Sequence, residues 1–173
     1  MSTKPEPFDP YAILTALERE RVTYILIGGF ARVVQGTEEL TNGLDLVPSL
    51  RSENLRRLGL ALDDLDARLP NGTRLPALEH DLPAQAVLEL RTDAGGLKIV
   101  PEPVGTRGGY DDLRRAATRE PIGRGLRPSV ASIGDLARML AALGREQDLL
   151  PLQQLRTLAE LDRELHRGLY IER

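Results

Sequence analysis

The stretch TNGLDLVPS, residues 41 to 49, decides the fold of this chain. Apolar Leu44 and Leu46 occupy alternate positions in it, and an alternation of two residues is the pattern of a strand with one face in a core. Gly43 and Asp45 therefore share the opposite face. An aspartate at position 43 would complete a pair of carboxylates suited to a metal ion, but glycine stands there.

On both sides of this strand, the hydrophobic periodicity of the sequence predicts alternating helices and strands. Helices are predicted over residues 11–21, 30–36, 52–65 with Ser52 as N-cap, 110–117, 132–143 with Ser132 as N-cap, and 149–165. Strands are predicted over residues 22–27, 44–47, 86–91 and 97–100, with one more near residue 130. The order indicates an α/β (α+β) fold with helices at the C-terminus. We expect an α/β core over 1–130 and a helical segment over 131–173, packed as one compact domain.

Composition narrows the class of protein. A chain of 173 residues with 41% hydrophobic content and no long apolar run fits a soluble globular domain without a membrane span. The polar start MSTKPEPFDP lacks the apolar core of a signal peptide, so a cytoplasmic location is expected. The absence of cysteine excludes disulfides, thiolate zinc sites and cysteine nucleophiles.

Charge is unevenly distributed along the chain, which has a net charge of −3. Residues 107 to 127 carry six arginines against three acids in a glycine-rich stretch. Such a stretch either binds phosphate or forms a solvated surface loop, and the acidity of the whole chain favours the loop.

Several short motifs in a fixed order carry a family resemblance. The motifs are Gly28-Gly29, a short helix ending at Gly36, Thr41 followed by Asp45 on the next strand, and GGLKIVPEP at residues 95 to 103. With this order the chain resembles the minimal nucleotidyltransferases of the AbiEii and MenT toxin type, in the DNA-polymerase-β-like superfamily. The resemblance covers roughly residues 11 to 160. It implies a mixed β-sheet flanked by helices and transfer of a nucleotide from an NTP to an acceptor, often the 3′ end of tRNA.

The resemblance also implies a set of site residues. Nucleotidyl transfer needs two divalent cations, which such proteins hold with two aspartates on one strand and a third carboxylate on a neighbouring strand. Positions matching the nucleotide-binding residues are Gly28, Gly29, Thr41, Lys98, Arg145 and Asp148. For Arg145 and Asp148 a surface ion pair is the favoured alternative, and for Gly28-Gly29 an ordinary strand-to-helix turn stays open.

The chain departs from the family pattern at the catalytic positions. Only Asp45 remains of the three carboxylates, because the first falls on Gly43 and the third on Lys98. Leu140 stands where the family often has a basic residue. One carboxylate beside an ammonium does not hold a metal pair, and Lys98 is expected to pair with Asp45 at an energy of roughly 4 kcal/mol.

These departures predict a degenerate bacterial pseudoenzyme that binds a nucleotide, RNA or a partner such as an antitoxin-like protein. No cofactor is expected. The alternative is an active nucleotidyltransferase of a toxin–antitoxin system that moves NMP to RNA with Mg²⁺, using acids borrowed from Glu102 or elsewhere. No membrane partner is expected in either case.

Overall fold

The computed structural model describes residues 7–75 and 87–171, with side chains described up to residue 168. Six helices are present in these residues: α1 (Pro10–Arg19), α2 (Gly28–Gln35), α3 (Ser52–Asp64), α4 (Tyr110–Leu113), α5 (Ile133–Leu143) and α6 (Leu149–Ile171). The strands are β1 (Tyr24–Ile27), β2 (Gly43–Pro48), β3 (Leu88–Thr92), β4 (Gly95–Ile99), β5 (Thr118–Arg119) and β6 (Ser129–Val130). None of the described helices combines the length and apolar character that crossing a membrane requires.

The strands form one mixed sheet in the order β3-β4-β2-β1-β6-β5. β2 runs antiparallel to β1 and parallel to β4, while β6 runs parallel to β1. Helices flank the sheet: α1 packs with α3, α2 packs with α5, and α6 packs on α5. This is the mixed α/β arrangement that the alternating sequence pattern predicted.

The deciding strand forms as predicted. Leu44 and Leu46 are fully buried, while Gly43 and Asp45 are only half-buried. Val47 shares the face of Asp45 but is fully buried as well, so the open part of this face is confined to the first half of β2.

Helix starts differ from the predictions at two places. α2 begins at Gly28 rather than at Phe30, so both glycines belong to the helix. The N-cap of α3 is Arg51, and Ser52 is the first helical residue without a capping side-chain bond. Ser132 does cap α5, since its hydroxyl accepts a hydrogen bond from the Asp135 N–H at 3.0 Å.

Three other predictions need correction. The helix predicted over 110–117 is only one turn, Tyr110–Leu113, and Thr118–Arg119 beyond it pairs with β6. The last helix continues past residue 165 to Ile171. The strand predicted from Ala86 begins at Leu88, and Ala86 itself lies outside the described residues.

Candidate functional site

Asp45 lies at the centre of a row of residues that crosses four strands. In the register of the sheet Asp45 is opposite Ile27 of β1 and Lys98 of β4, and Lys98 is opposite Glu89 of β3. Residues directly opposite each other share a face of the sheet. The fold therefore places Lys98 beside Asp45, as the resemblance implied, and adds Glu89, which sequence reasoning missed.

The Asp45 carboxylate lies directly against Gly28. A side chain at position 28 would collide with the Asp45 carboxyl group, and the backbone φ of Gly28 is +75°. Glycine is thus required here both for its positive φ and for the close approach of Asp45. Gly29 is also crowded, since a Cβ there would come within 3.0 Å of the Thr41 methyl.

Gly43 faces the backbone of the neighbouring strand. A Cβ at this position would lie 2.9 Å from the carbonyl oxygen of Gly96 and 3.2 Å from its carbonyl carbon. The first distance is shorter than real contacts of a Cβ atom and the second is tight, and backbone cannot rotate away as a side chain can. The position that would carry the first metal carboxylate therefore has no room for any side chain while β2 and β4 keep this register.

The predicted ion pair between Asp45 and Lys98 is not formed. No hydrogen bond or ion pair engages the Asp45 carboxylate within residues 7–75 and 87–171. Lys98 is exposed, and a strongly hydrated ammonium on a long flexible stem stays in water when its neighbour is partly enclosed. The prediction assumed a contact distance that the adjacent backbones do not by themselves impose.

Burial dominates the ionisation of Asp45. It raises the pKa of the Asp45 carboxyl, and the nearby charges of Lys98, Arg32 and Arg145 oppose the rise without reversing it. Glu89 adds to the rise. Burial therefore disfavours the ionised form of the Asp45 carboxyl, although cationic side chains lie near it in the cleft.

Arg145 and Asp148 form the ion pair that was the favoured alternative. Arg145 Nε lies 2.6 Å from Asp148 Oδ2, in a single turn of 3-10 helix between α5 and α6. Asp148 is buried, whereas the Arg145 side chain keeps 48% of its surface exposed. Asp148 thus fixes the arginine and leaves part of its guanidinium open to solvent.

A second locked arginine borders the cleft and was not predicted. Arg32 Nε and Nη2 both donate to the Glu39 carboxylate, and the Thr37 hydroxyl donates to it at 2.6 Å. Both charged side chains are mostly buried. This network ties α2 to the segment that leads to Thr41. Nothing in the sequence pattern distinguishes these two charges from ordinary surface residues.

The structure brings most of the predicted site residues into two adjoining clefts. The first has a volume of about 460 Å³, and its lining includes Gly28, Gly29, Asp45, Lys98, Leu140 and Arg145. The second, of about 600 Å³, shares Gly29, Asp45 and Lys98 with the first and adds Thr41 and Gly43. Asp148 lines neither cleft. Leu140 is buried in the apolar wall, where Val104 and Leu143 are exposed beside it.

The side chains around Asp45 do not fit a divalent cation. Magnesium requires several hard oxygen ligands, but the two positions next to Asp45, on its own strand and on β4, hold a crowded glycine and an ammonium. Within the described ranges, no three His, Cys, Asp or Glu side chains are arranged to hold a metal ion. What the cleft offers instead is cationic side chains, Lys98 and Arg145, on an apolar wall.

Solved structures with the same fold are nucleotidyltransferases. The lincosamide antibiotic adenylyltransferase LnuA, solved with lincomycin bound, is 17% identical with a TM-score of 0.60, and the match covers 88% of this chain and 99% of that one. The antibiotic-resistance factor ANT(2'')-Ia is 11% identical with a TM-score of 0.57, covering 94% and 93%. A putative nucleotidyltransferase from Thermotoga maritima is 16% identical with a TM-score of 0.53, covering 88% and 89%.

These likenesses define the class by fold: the chain has a nucleotidyltransferase fold over most of its length. No family model matches the sequence, and no curated protein matches it either. The fold and the residues of the cleft are therefore the grounds for assigning a function.

Proposed function

We propose that this protein is a catalytically degenerate nucleotidyltransferase, similar to the AbiEii and MenT toxin type, that binds the phosphates of a nucleotide without a divalent cation. The observation that carries the proposal is the register that sets Lys98 beside Asp45 and closes Gly43 against the Gly96 backbone. An ammonium thereby occupies the neighbourhood in which the family holds a metal.

Three charged groups of the cleft have distinct places in this proposal. Lys98, exposed and unpaired within the described residues, donates to phosphate oxygens as a compact point charge. Arg145 is held in place by Asp148 and presents the open part of its guanidinium to the same ligand. Asp45 lies in the same cleft, where burial raises the pKa of its carboxyl.

A binding measurement tests the proposal. Calorimetry with ATP or GTP in EDTA is expected to show binding, because the described residues of the cleft offer phosphate-binding cations and no ligand set for a metal ion. Lys98→Ala should weaken binding about tenfold, the equivalent of one lost charge-assisted hydrogen bond of about 1.4 kcal/mol. Arg167→Ala, at an exposed site on α6, is the matched control and should bind like the wild type. Binding that requires Mg²⁺ and disappears in Asp45→Ala would contradict the proposal.

The alternative function is active transfer of NMP from an NTP to RNA, such as a tRNA 3′ end, with an antitoxin-like partner. Its structural support is that Glu102 and Glu89 line the clefts that contain Asp45, so they are carboxylates from which such a site could borrow. Incubation with labelled NTPs, Mn²⁺ and total tRNA separates the two functions. We expect no incorporation; label that depends on Asp45 would establish the enzyme instead.

A further inference from the structure

The opposite end of the central strands carries a second concave surface, rich in arginine. β1 runs from Tyr24 to Ile27, and the Asp45 cleft lies at the Ile27 end. At the Tyr24 end two clefts of about 330 Å³ and about 300 Å³ adjoin, since Thr23 and Tyr110 line both. We call the two together the arginine groove.

The arginine groove has an excess of positive charge that the described residues of its lining do not neutralise. Its lining contains five arginines and three carboxylates. Each carboxylate is engaged: Glu18 accepts from the Tyr24 hydroxyl, Glu53 pairs with Arg57, and Asp111 pairs with Arg114.

Three arginines are left over. Within the part of the chain that the structure describes, the side chains of Arg21, Arg51 and Arg119 make no hydrogen bond or ion pair, and all three residues are exposed. They come from three separate segments: the turn after α1, the loop before α3, and β5. The fold therefore gathers them, although they are far apart in sequence.

Arg21 occupies a position at which glycine is usual. It follows the end of α1 with a φ of +55°, and the Val22 N–H reaches back to the Leu17 carbonyl at 3.0 Å, as in a helix end closed by a left-handed residue. A residue with a side chain is disfavoured in this conformation. The arginine is present although the left-handed backbone disfavours it, and its guanidinium has no partner among the described residues that explains it.

We propose that the arginine groove binds the sugar-phosphate backbone of a single-stranded nucleic acid. Two adjoining clefts with unpaired guanidinium groups match a polymer of successive phosphates better than one isolated anion, and the arginine fork matches phosphate oxygens bidentately. The half-buried ring of Tyr110 lies where the two clefts meet. The site is separate from the Asp45 cleft, so it stands or falls independently of nucleotide binding there.

Fluorescence anisotropy with a labelled polyuridine of about 20 nucleotides tests this proposal. The triple variant Arg21→Gln, Arg51→Gln, Arg119→Gln is expected to bind at least tenfold more weakly at low salt. Its plot of log K against log salt should be flatter by about 2, because each lost phosphate contact to a single strand removes roughly 0.7 from the slope. The matched control, Arg156→Gln, Arg163→Gln, Arg167→Gln on α6, should stay within about twofold of the wild type, as expected for surface substitutions away from the site.

The single variant Arg21→Gly adds a sharper readout. It should raise the melting temperature, because glycine suits the left-handed backbone, while weakening polyuridine binding. The proposal is overturned if the groove triple binds like the wild type, or if the α6 triple loses as much affinity. It is also overturned if polyglutamate of equal charge displaces the polyuridine, since the surface would then favour an acidic peptide.

Discussion

Asp45 has surroundings that differ from those of an aspartate in a metal site. In a metal site its charge would be stabilised by a bound cation, whereas here burial raises the pKa of its carboxyl, and the nearby cations Lys98, Arg32 and Arg145 oppose the rise without contacting it. No hydrogen bond from the described residues holds its carboxylate. Asp45, the remnant catalytic residue predicted from the sequence, therefore lowers the stability of the folded state when it is ionised.

This cost predicts a pH-dependent stability difference. Because the pKa of Asp45 is higher in the folded than in the unfolded chain, the folded state retains a proton that the unfolded state releases, and stability falls as the pH rises through that window. Asp45→Asn should therefore gain unfolding free energy relative to the wild type between about pH 4 and pH 7. Urea unfolding at both pH values measures the gain.

The same substitution at exposed Asp64 controls for the loss of one negative charge. If Asp45→Asn is instead more stabilising at about pH 4 than at pH 7, the sign of the shift is wrong.

At the scale of elements, the β2–β4 pair is the part of the sheet most sensitive to change. Its register sets Gly43 opposite Gly96, and the two glycines allow the backbones to approach. Gly43→Ala should lower the unfolding free energy by about 1–3 kcal/mol, because the new methyl has to displace backbone. Denaturant unfolding measures the change.

Gly59 in α3 is the matched control for that variant. Nothing lies within 4 Å of a Cβ built there, so Gly59→Ala should stabilise the protein. The expected gain is about 0.5–1 kcal/mol, through helix propensity. A Gly43→Ala variant that is as stable as Gly59→Ala would show that the strands are free to separate.

Over the whole molecule, the sequence predicted the helices and strands that have a clear hydrophobic periodicity. The alternation of Leu44 and Leu46 predicted β2, and Ser132 predicted the start of α5, because burial and capping depend on residues that are close in sequence. Thr118–Arg119 was missed as a strand, since two residues are too few to show an alternation.

The candidate site was predictable only in part for the same reason. Asp45 and Lys98 could be aligned because family motifs fix their strands, but whether their side chains touch depends on burial and hydration. The Arg32–Glu39 network and the gathering of Arg21, Arg51 and Arg119 arise from tertiary structure alone. Charged residues in loops carry no pattern that tells which of them meet.

The contact of Gly43 with Gly96 has a consequence for the history of the chain. Some glycine codons become aspartate codons by one base change, so this substitution is within easy reach of mutation. At position 43 the new side chain would meet the Gly96 main chain before any metal ion could bind it. Under the function proposed above, this register therefore makes an acid at position 43 hard to acquire, and it favours uses of the cleft that need no metal ion.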